Sequence, residues 1–264
     1  MMDLVIVPSS HAKSVLELTG ELDVPVRVVP EWFYPEILKE EHDPFLRDHD
    51  FGTKFNFLIV SQLTGQDSET DRKNILNTLK WICEEFEDNP DVGIVLKTNH
   101  GKGTKIDRHL TRNILNSTLS EIGVKNRPKV HFLHGNLTTS EICGLYRNKS
   151  IKALVNLTRG EGFGLPILEA AASGLPTITT GWSAHTEFLS LGKFISVNHD
   201  LVEIPDRKAD GRIFVKGLKW ADPHESDFKK KIRKFYEKSD LPDKWAQDLS
   251  LKIREEYCRE SIIK

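Results

Sequence analysis

Cysteine is scarce in this sequence. Three cysteines in 264 residues, Cys83, Cys143 and Cys258, stand far apart and without metal-ligand spacing. That excludes a disulfide scaffold and a cysteine-based zinc site. The expectation is reduced thiols, mostly in the core, of a cytoplasmic protein. Ten histidines show no His-x3-His or Glu-linked pattern, so no metal is expected. No apolar run approaches the ~20 residues of a membrane helix, so no span is expected. The opening MMDLVIVPSSHAK lacks a basic stretch, so no signal peptide is expected, and the Asn-x-Ser/Thr matches at Asn116, Asn136, Asn148 and Asn156 read as chance. An excess of one charge is also missing. The 37 basic and 39 acidic residues leave a net charge of -2, which gives no support to a nucleic-acid or anionic-membrane partner. There is no internal repeat and no low-complexity tract.

What is present is alternation. Short apolar runs at 4–7, 26–29, 54–60, 92–97, 129–133, 151–157, 176–180 and 194–197 read as strands. Helical patterns lie between most of them, at 11–20 (closed by Gly20), 72–86, 105–122, 138–148 and 166–174. Two more helices follow near the end. The Pro-rich, charged stretch 30–44 reads as a connection between two bodies. Strand–helix–strand order with continuous apolar strands predicts an α/β fold, a parallel sheet with helices on both faces. Ligands of such sheets bind beyond the carboxyl ends of the strands, so the loops after 60, 97, 133, 157 and 180 are the candidates.

The loop after residue 157 carries most of the chemistry. In LTRGEGFGLPILEAAASGLPTITT, Gly160, Gly162 and Gly164 permit a sharp turn and close backbone approach to a ligand. Pro166 suits the first helical position. The amides of Phe163, Gly164 and Leu165 then sit at a helix N-terminus, which favours phosphate. Glu169, one turn on, can accept two hydrogen bonds from a ribose diol. Glu161, before the turn, lies where a sugar would be. GKGTK (101–105) lacks Walker A spacing and remains a weaker candidate for ligand contact. The KKKIRK run (229–234) reads as a solvated helix face and Trp220 as a packing residue.

EGFGLPILEAAASGLP resembles the Glu-x7-Glu motif of retaining glycosyltransferases of the GT-B fold, family 4, including the small residues Ala170, Ala171 and Gly174 and then Pro176. The resemblance implies the C-terminal, Rossmann-like donor domain at 45–264, with 1–44 a remnant of the first domain and a linker. It implies that Lys73, in the RKN stretch (72–74), binds the diphosphate and that His134, Gly135 and Asn136 lie near the base. Glu187, in GWSAHTEFL, is the family's next glutamate. It implies a nucleotide-diphosphate sugar donor, a carbohydrate or other hydroxyl acceptor, no cofactor, and a separate chain as one source of the rest of the first domain. The chain departs from the family in having Ser61 and Gln62 where an arginine is usual, and Arg72 is the expected substitute. Two further expectations stand beside transfer. One is a non-catalytic nucleotide-sugar-binding module; the other is a sugar-nucleotide epimerase, which would lack the Glu-x7-Glu motif.

Overall fold

The computed structural model describes residues 3–20, 23–39 and 44–263. Strand β1 (Val5–Val7), helix α1 (Ser10–Thr19) and strand β2 (Val26–Val28) form a small unit whose two strands pair in parallel. A short helix, α2 (Pro44–Arg47), leads to the central body. There follow β3 (Phe55–Val60), α3 (Ile75–Glu85), β4 (Val92–Lys97), α4 (Lys105–Glu121) and β5 (Lys129–Leu133). Next come α5 (Thr139–Tyr146), β6 (Ile151–Asn156), α6 (Leu165–Ala172), β7 (Thr177–Thr180), α7 (His185–Leu189) and β8 (Ile195–Val197). An antiparallel hairpin, β9 (His199–Glu203) and β10 (Lys219–Pro223), precedes α8 (Glu225–Glu237), α9 (Asp240–Glu256) and α10 (Arg259–Ile262).

Strands β3 to β8 form one parallel sheet in the order β5-β4-β3-β6-β7-β8. Alternation along β3 builds two cores. Phe57 and Ile59 join residues of α3, α4 and α8, whereas Leu58 and Val60 join residues of α5, α6, α7 and α9. Burial on both faces explains why these strands read as unbroken apolar runs. From β3 the chain winds outward through β4 to β5, and from β6 in the opposite direction to β8. The reversal puts a crevice between the loops after β3 and β6, where α/β sheets take their ligands.

The structure differs from the sequence expectation in several places. Helix α3 starts at Ile75, not at 72, because Asn74 adopts a left-handed φ of 54° and Asp71 Oδ2 accepts from the Ile75 amide at 2.7 Å. Gly20 ends α1 in an extended conformation, not as a left-handed cap. Pro166 takes the second helical position, since Gly164, φ 106°, is the N-cap of α6. Within the 30–44 connection, residues 40–43 lie outside the described set, but Phe33 and Ile37 are buried in the second core. The β9–β10 hairpin and α10 were not expected from the sequence. Trp220 is buried, as a packing residue should be.

Candidate functional site

The loop after β3 is organised by a buried carboxylate. Asp71 Oδ1 accepts from the Thr64 amide and hydroxyl at 3.1 and 2.7 Å and from the Lys73 amide at 3.2 Å. This fold of the backbone points Lys73 across the crevice. Its Nζ donates to both oxygens of Glu161, at 2.6 and 2.8 Å, and Arg72 Nη1 lies 3.4 Å from Glu161 Oε2. Arg72 also donates to the Gly160 carbonyl. The Glu161 side chain is only 7% exposed. Burial opposes its ionisation, but the Lys73 ammonium and the Arg72 guanidinium outweigh burial and hold the carboxyl below the usual range. A lysine has three N–H donors, so one on Lys73 remains for a further acceptor.

A second chain of bonds fixes the Glu161 backbone. Its amide donates to Ser183 Oγ at 2.9 Å, and Ser183 Oγ lies 3.4 Å from His185 Nδ1. His185 Nε2 lies 2.8 Å from the Thr180 carbonyl, which can only accept, so Nε2 carries the proton and Nδ1 accepts from Ser183. Burial pulls the His185 pKa down and keeps the ring neutral, as this arrangement requires. The sequence reading missed Ser183 and His185. Ser183 has a φ of 80°, and no sequence pattern ties it to Glu161.

Beyond Glu161 the backbone turns into α6. Among the described residues, the amides of Gly162, Phe163, Gly164 and Leu165 have no hydrogen-bond partner, whereas Ile167 and Leu168 both donate to the Gly164 carbonyl. Unpartnered amides at a helix start leave N–H donors, on the positive end of the helix dipole, free for an acceptor. The Phe163 ring anchors the turn by packing on Phe188 and Tyr257.

Glu169 is buried on α6 and accepts from the Tyr146 hydroxyl at 3.2 Å. Burial pushes its carboxyl up to about 7, against the lowering effect of that hydrogen bond. Tyr146 was another omission. On the far side of the crevice, His134 Nε2 lies 2.9 Å from Asp107 Oδ2. Asp107 also accepts from the Gly101 and Gly103 amides at 2.7 and 3.1 Å, so the GKGTK loop packs on the 134–136 loop. Gly135, φ 98°, lies so close to Gly103 that a Cβ on Gly103 would sit 3.3 Å from the Gly135 Cα. Asn136 is exposed, and the capping box of Thr138 and Glu141 ends the loop. Gln62 is exposed and donates to the His100 carbonyl at 3.2 Å. Thus Arg72 and Lys73 meet Glu161 directly, the 162–165 turn follows Glu161 in the chain, and Glu169 lies further along α6. Gln62 and 134–136 form the neighbouring rim.

The β1–α1 unit closes the other side. Ser9 Oγ donates to the Gly162 carbonyl at 2.7 Å and caps α1 by accepting from the Ala12 amide. Glu187 accepts from the Ser10 and His11 amides at 3.1 and 2.8 Å, placing a carboxylate on the N-terminus of α1. His11 packs edge-on against Trp182, with ring centroids 5.0 Å apart. Among the described residues, no group of three or more His, Cys, Asp or Glu side chains is arranged to hold a metal ion.

Residues 121–249 match the family model of glycosyl transferases group 1. That stretch contains Glu161, the 162–165 turn, Glu169 and Glu187, but not the arm that carries Arg72 and Lys73. Among curated proteins no match is found. Solved structures agree on the fold. Sucrose-phosphate synthase from Thermosynechococcus elongatus superposes with a TM-score of 0.69 at 15% identity, over 99% of this chain and 56% of that one. The chain therefore spans about half the length of that protein. HepE of Anabaena, solved with UDP and glucose, gives a TM-score of 0.63 at 14% identity, over 99% of this chain and 61% of that one. The C-terminal domain of the group 1 glycosyl transferase LpcC from Francisella tularensis gives 0.52 at 20% identity, over 84% of this chain and 94% of that domain. The sheet is the Rossmann-like C-terminal half of a GT-B fold.

Proposed function

We propose that this chain is the donor-binding half of a glycosyltransferase. It would move a sugar from a nucleotide-diphosphate sugar to a hydroxyl acceptor, a carbohydrate for example, with retention of configuration as in family 4. The carrying observation is the set of unpartnered amides at 162–165, beside the cations Arg72 and Lys73, at the reversal point of a parallel sheet. In this reading the amides and the free N–H of Lys73 take the diphosphate. Glu169 accepts from the ribose hydroxyls, and Gly135 and Asn136 border the base, with His134 held behind them by Asp107. Glu161, its carboxylate fixed by Lys73 and its backbone by Ser183, orients the sugar.

The chemistry asked of these groups is positioning and charge stabilisation. As the glycosidic bond breaks, negative charge grows on the leaving diphosphate, and preorganised N–H donors and cations lower that barrier without a strong base. Arg72, whose Nε and Nη2 have no partner among the described residues, would supply cationic donors in place of the arginine that is replaced here by Ser61 and Gln62. No metal is invoked.

The acceptor would be held mainly by a first domain, carried by further chain or by a partner. The β1–α1–β2 unit and the segment that follows it support this, because the unit exposes Ile6, Val15 and Leu18 and the segment exposes Val29, Trp32 and Tyr34, apolar surface that suits a covering domain. The reading places the protein in the cytoplasm. Calorimetric titration with UDP, GDP and ADP, in the unaltered chain and in Lys73→Ala and Glu169→Ala, tests the donor site. One nucleotide should bind selectively and lose affinity in both variants. Absence of binding to all three refutes the proposal. The anomeric configuration of a transferred sugar, read by NMR, decides retention.

A further inference from the structure

The β9–β10 hairpin lies outside the central sheet, yet it reaches back to both walls of the crevice. On the β6 side, the Ala221 amide donates to the Arg159 carbonyl at 2.9 Å. The Arg159 guanidinium pairs with the Asp222 carboxylate and lies over the Trp220 ring, 5.2 Å from its centroid. On the β3 side, Arg159 Nη2 donates to the Ser68 carbonyl at 3.3 Å, and Lys208 Nζ to the Thr64 carbonyl at 2.7 Å. Arg207 reaches Asp67 and Glu69 at 3.1 and 2.5 Å. The Arg159 amide itself donates to the Arg72 carbonyl at 2.8 Å, tying one wall to the other.

These contacts differ in weight. Arg207 is half exposed, and ion pairs of that kind contribute little. Arg159 is 6% exposed, and its planar fork binds a carboxylate, an aromatic face and a carbonyl at once. It also stands two residues before Glu161 and one before the Gly160 carbonyl that Arg72 bonds.

We propose that the β9–β10 hairpin braces the two walls of the crevice, and that Arg159 is the positioning residue through which it sets where Arg72, Lys73 and Glu161 meet. Arg159 need not touch a ligand. It fixes the loop that does, so its loss loosens the 157–165 and 64–73 segments together and leaves the strands below them intact. The inference rests on the proposed function only in naming these walls a donor site.

Hydrogen exchange read by mass spectrometry on the ligand-free chain tests the brace directly, and UDP, GDP and ADP titration reads its effect. Arg159→Met should speed exchange at least tenfold in both segments, with β3 and β6 unchanged, and weaken binding of the selected nucleotide at least tenfold. Arg159→Lys keeps a cation for Asp222 but not the fork, so it should regain melting temperature while leaving both segments fast. Arg233→Met is the control for simple destabilisation, because Arg233 of α8 binds Glu85 at the C-terminal end of α3, the end away from the crevice, at 2.7 Å. Exchange that is unchanged in Arg159→Met, that rises in only one wall, or that rises equally in the Arg233 control overturns the brace. If the unaltered chain binds none of the three nucleotides, the donor reading fails, and the exchange data still decide the brace.

Discussion

Replacing Glu169 by glutamine should stabilise the protein, and only above a certain pH. An unfolded glutamate loses its proton near 4.5, whereas burial holds the Glu169 proton until about 7. Between those values the folded state binds more protons than the unfolded state, so its stability falls as pH rises, and above them the loss is complete. Each pH unit of that window is worth about 1.4 kcal/mol, which makes the full penalty about 3 kcal/mol. Glutamine carries no charge to desolvate and can still accept from the Tyr146 hydroxyl. Urea unfolding at pH 8.5 should therefore show Glu169→Gln about 3 kcal/mol more stable, and at pH 5.5 only about 1 kcal/mol more stable. Thermal midpoints should diverge in the same sense, by roughly 2–4 °C per kcal/mol. In the proposed donor site the hydroxyls of a ribose favour the ionised carboxylate. Nucleotide affinity should thus rise through pH 7 more steeply in the unaltered chain than in the variant. A variant that gains equally at both pH values, or that loses stability at pH 8.5, would refute the argument that burial drives the shift.

Lys73→Met should cost about 2–4 kcal/mol, since it leaves the buried Glu161 carboxylate with Arg72 at 3.4 Å as its remaining cation, and adding Glu161→Gln should recover part of that, both read by urea unfolding. Gly164→Ala should cost about 1–3 kcal/mol, since φ is 106° and the new Cβ would lie 3.2 Å from His185 Cβ. Nucleotide binding should fall with it as the 162–165 amides shift. Maleimide should label the folded chain at Cys258 alone, because Cys83 and Cys143 are buried and their thiols are pushed up to about 11. Mass spectrometry should find one adduct per native chain and three in urea.

The central sheet was legible because its information is local. FNFLIV and VGIVLK are apolar on both faces, and the helices between strands carry their own periodicity. The 157–180 stretch was legible for a similar reason, since the turn, the helix start and both glutamates fall within a few residues of one another. The hairpin was not. Its strands are short, exposed along much of β9 but buried at Trp220 and Ala221 in β10, and residues 204–218 separate them without a tight-turn signal. Ser183, His185, Tyr146 and Asp107 were missed because their partners are distant or depend on backbone geometry. Tyr146 meets Glu169 only when α5 packs beside α6, and Asp107 meets His134 only when the start of α4 lies beside the loop after β5. Sequence spacing also shows Lys73 as a cation near a turn, but not that Glu161 already engages it.

That engagement gives the crevice an internal competitor. Any anion that approaches Lys73 must share it with Glu161, whose two oxygens sit 2.6 and 2.8 Å from the ammonium. A stray phosphate gains little from a cation whose charge is already balanced, and it meets a fixed carboxylate as well. A guest that brings further attachments, a diol for Glu169 or a ring for the 134–136 loop, recovers the cost elsewhere. The ion pair would then act as a threshold, one that a fragment of a ligand fails to cross and a whole ligand crosses.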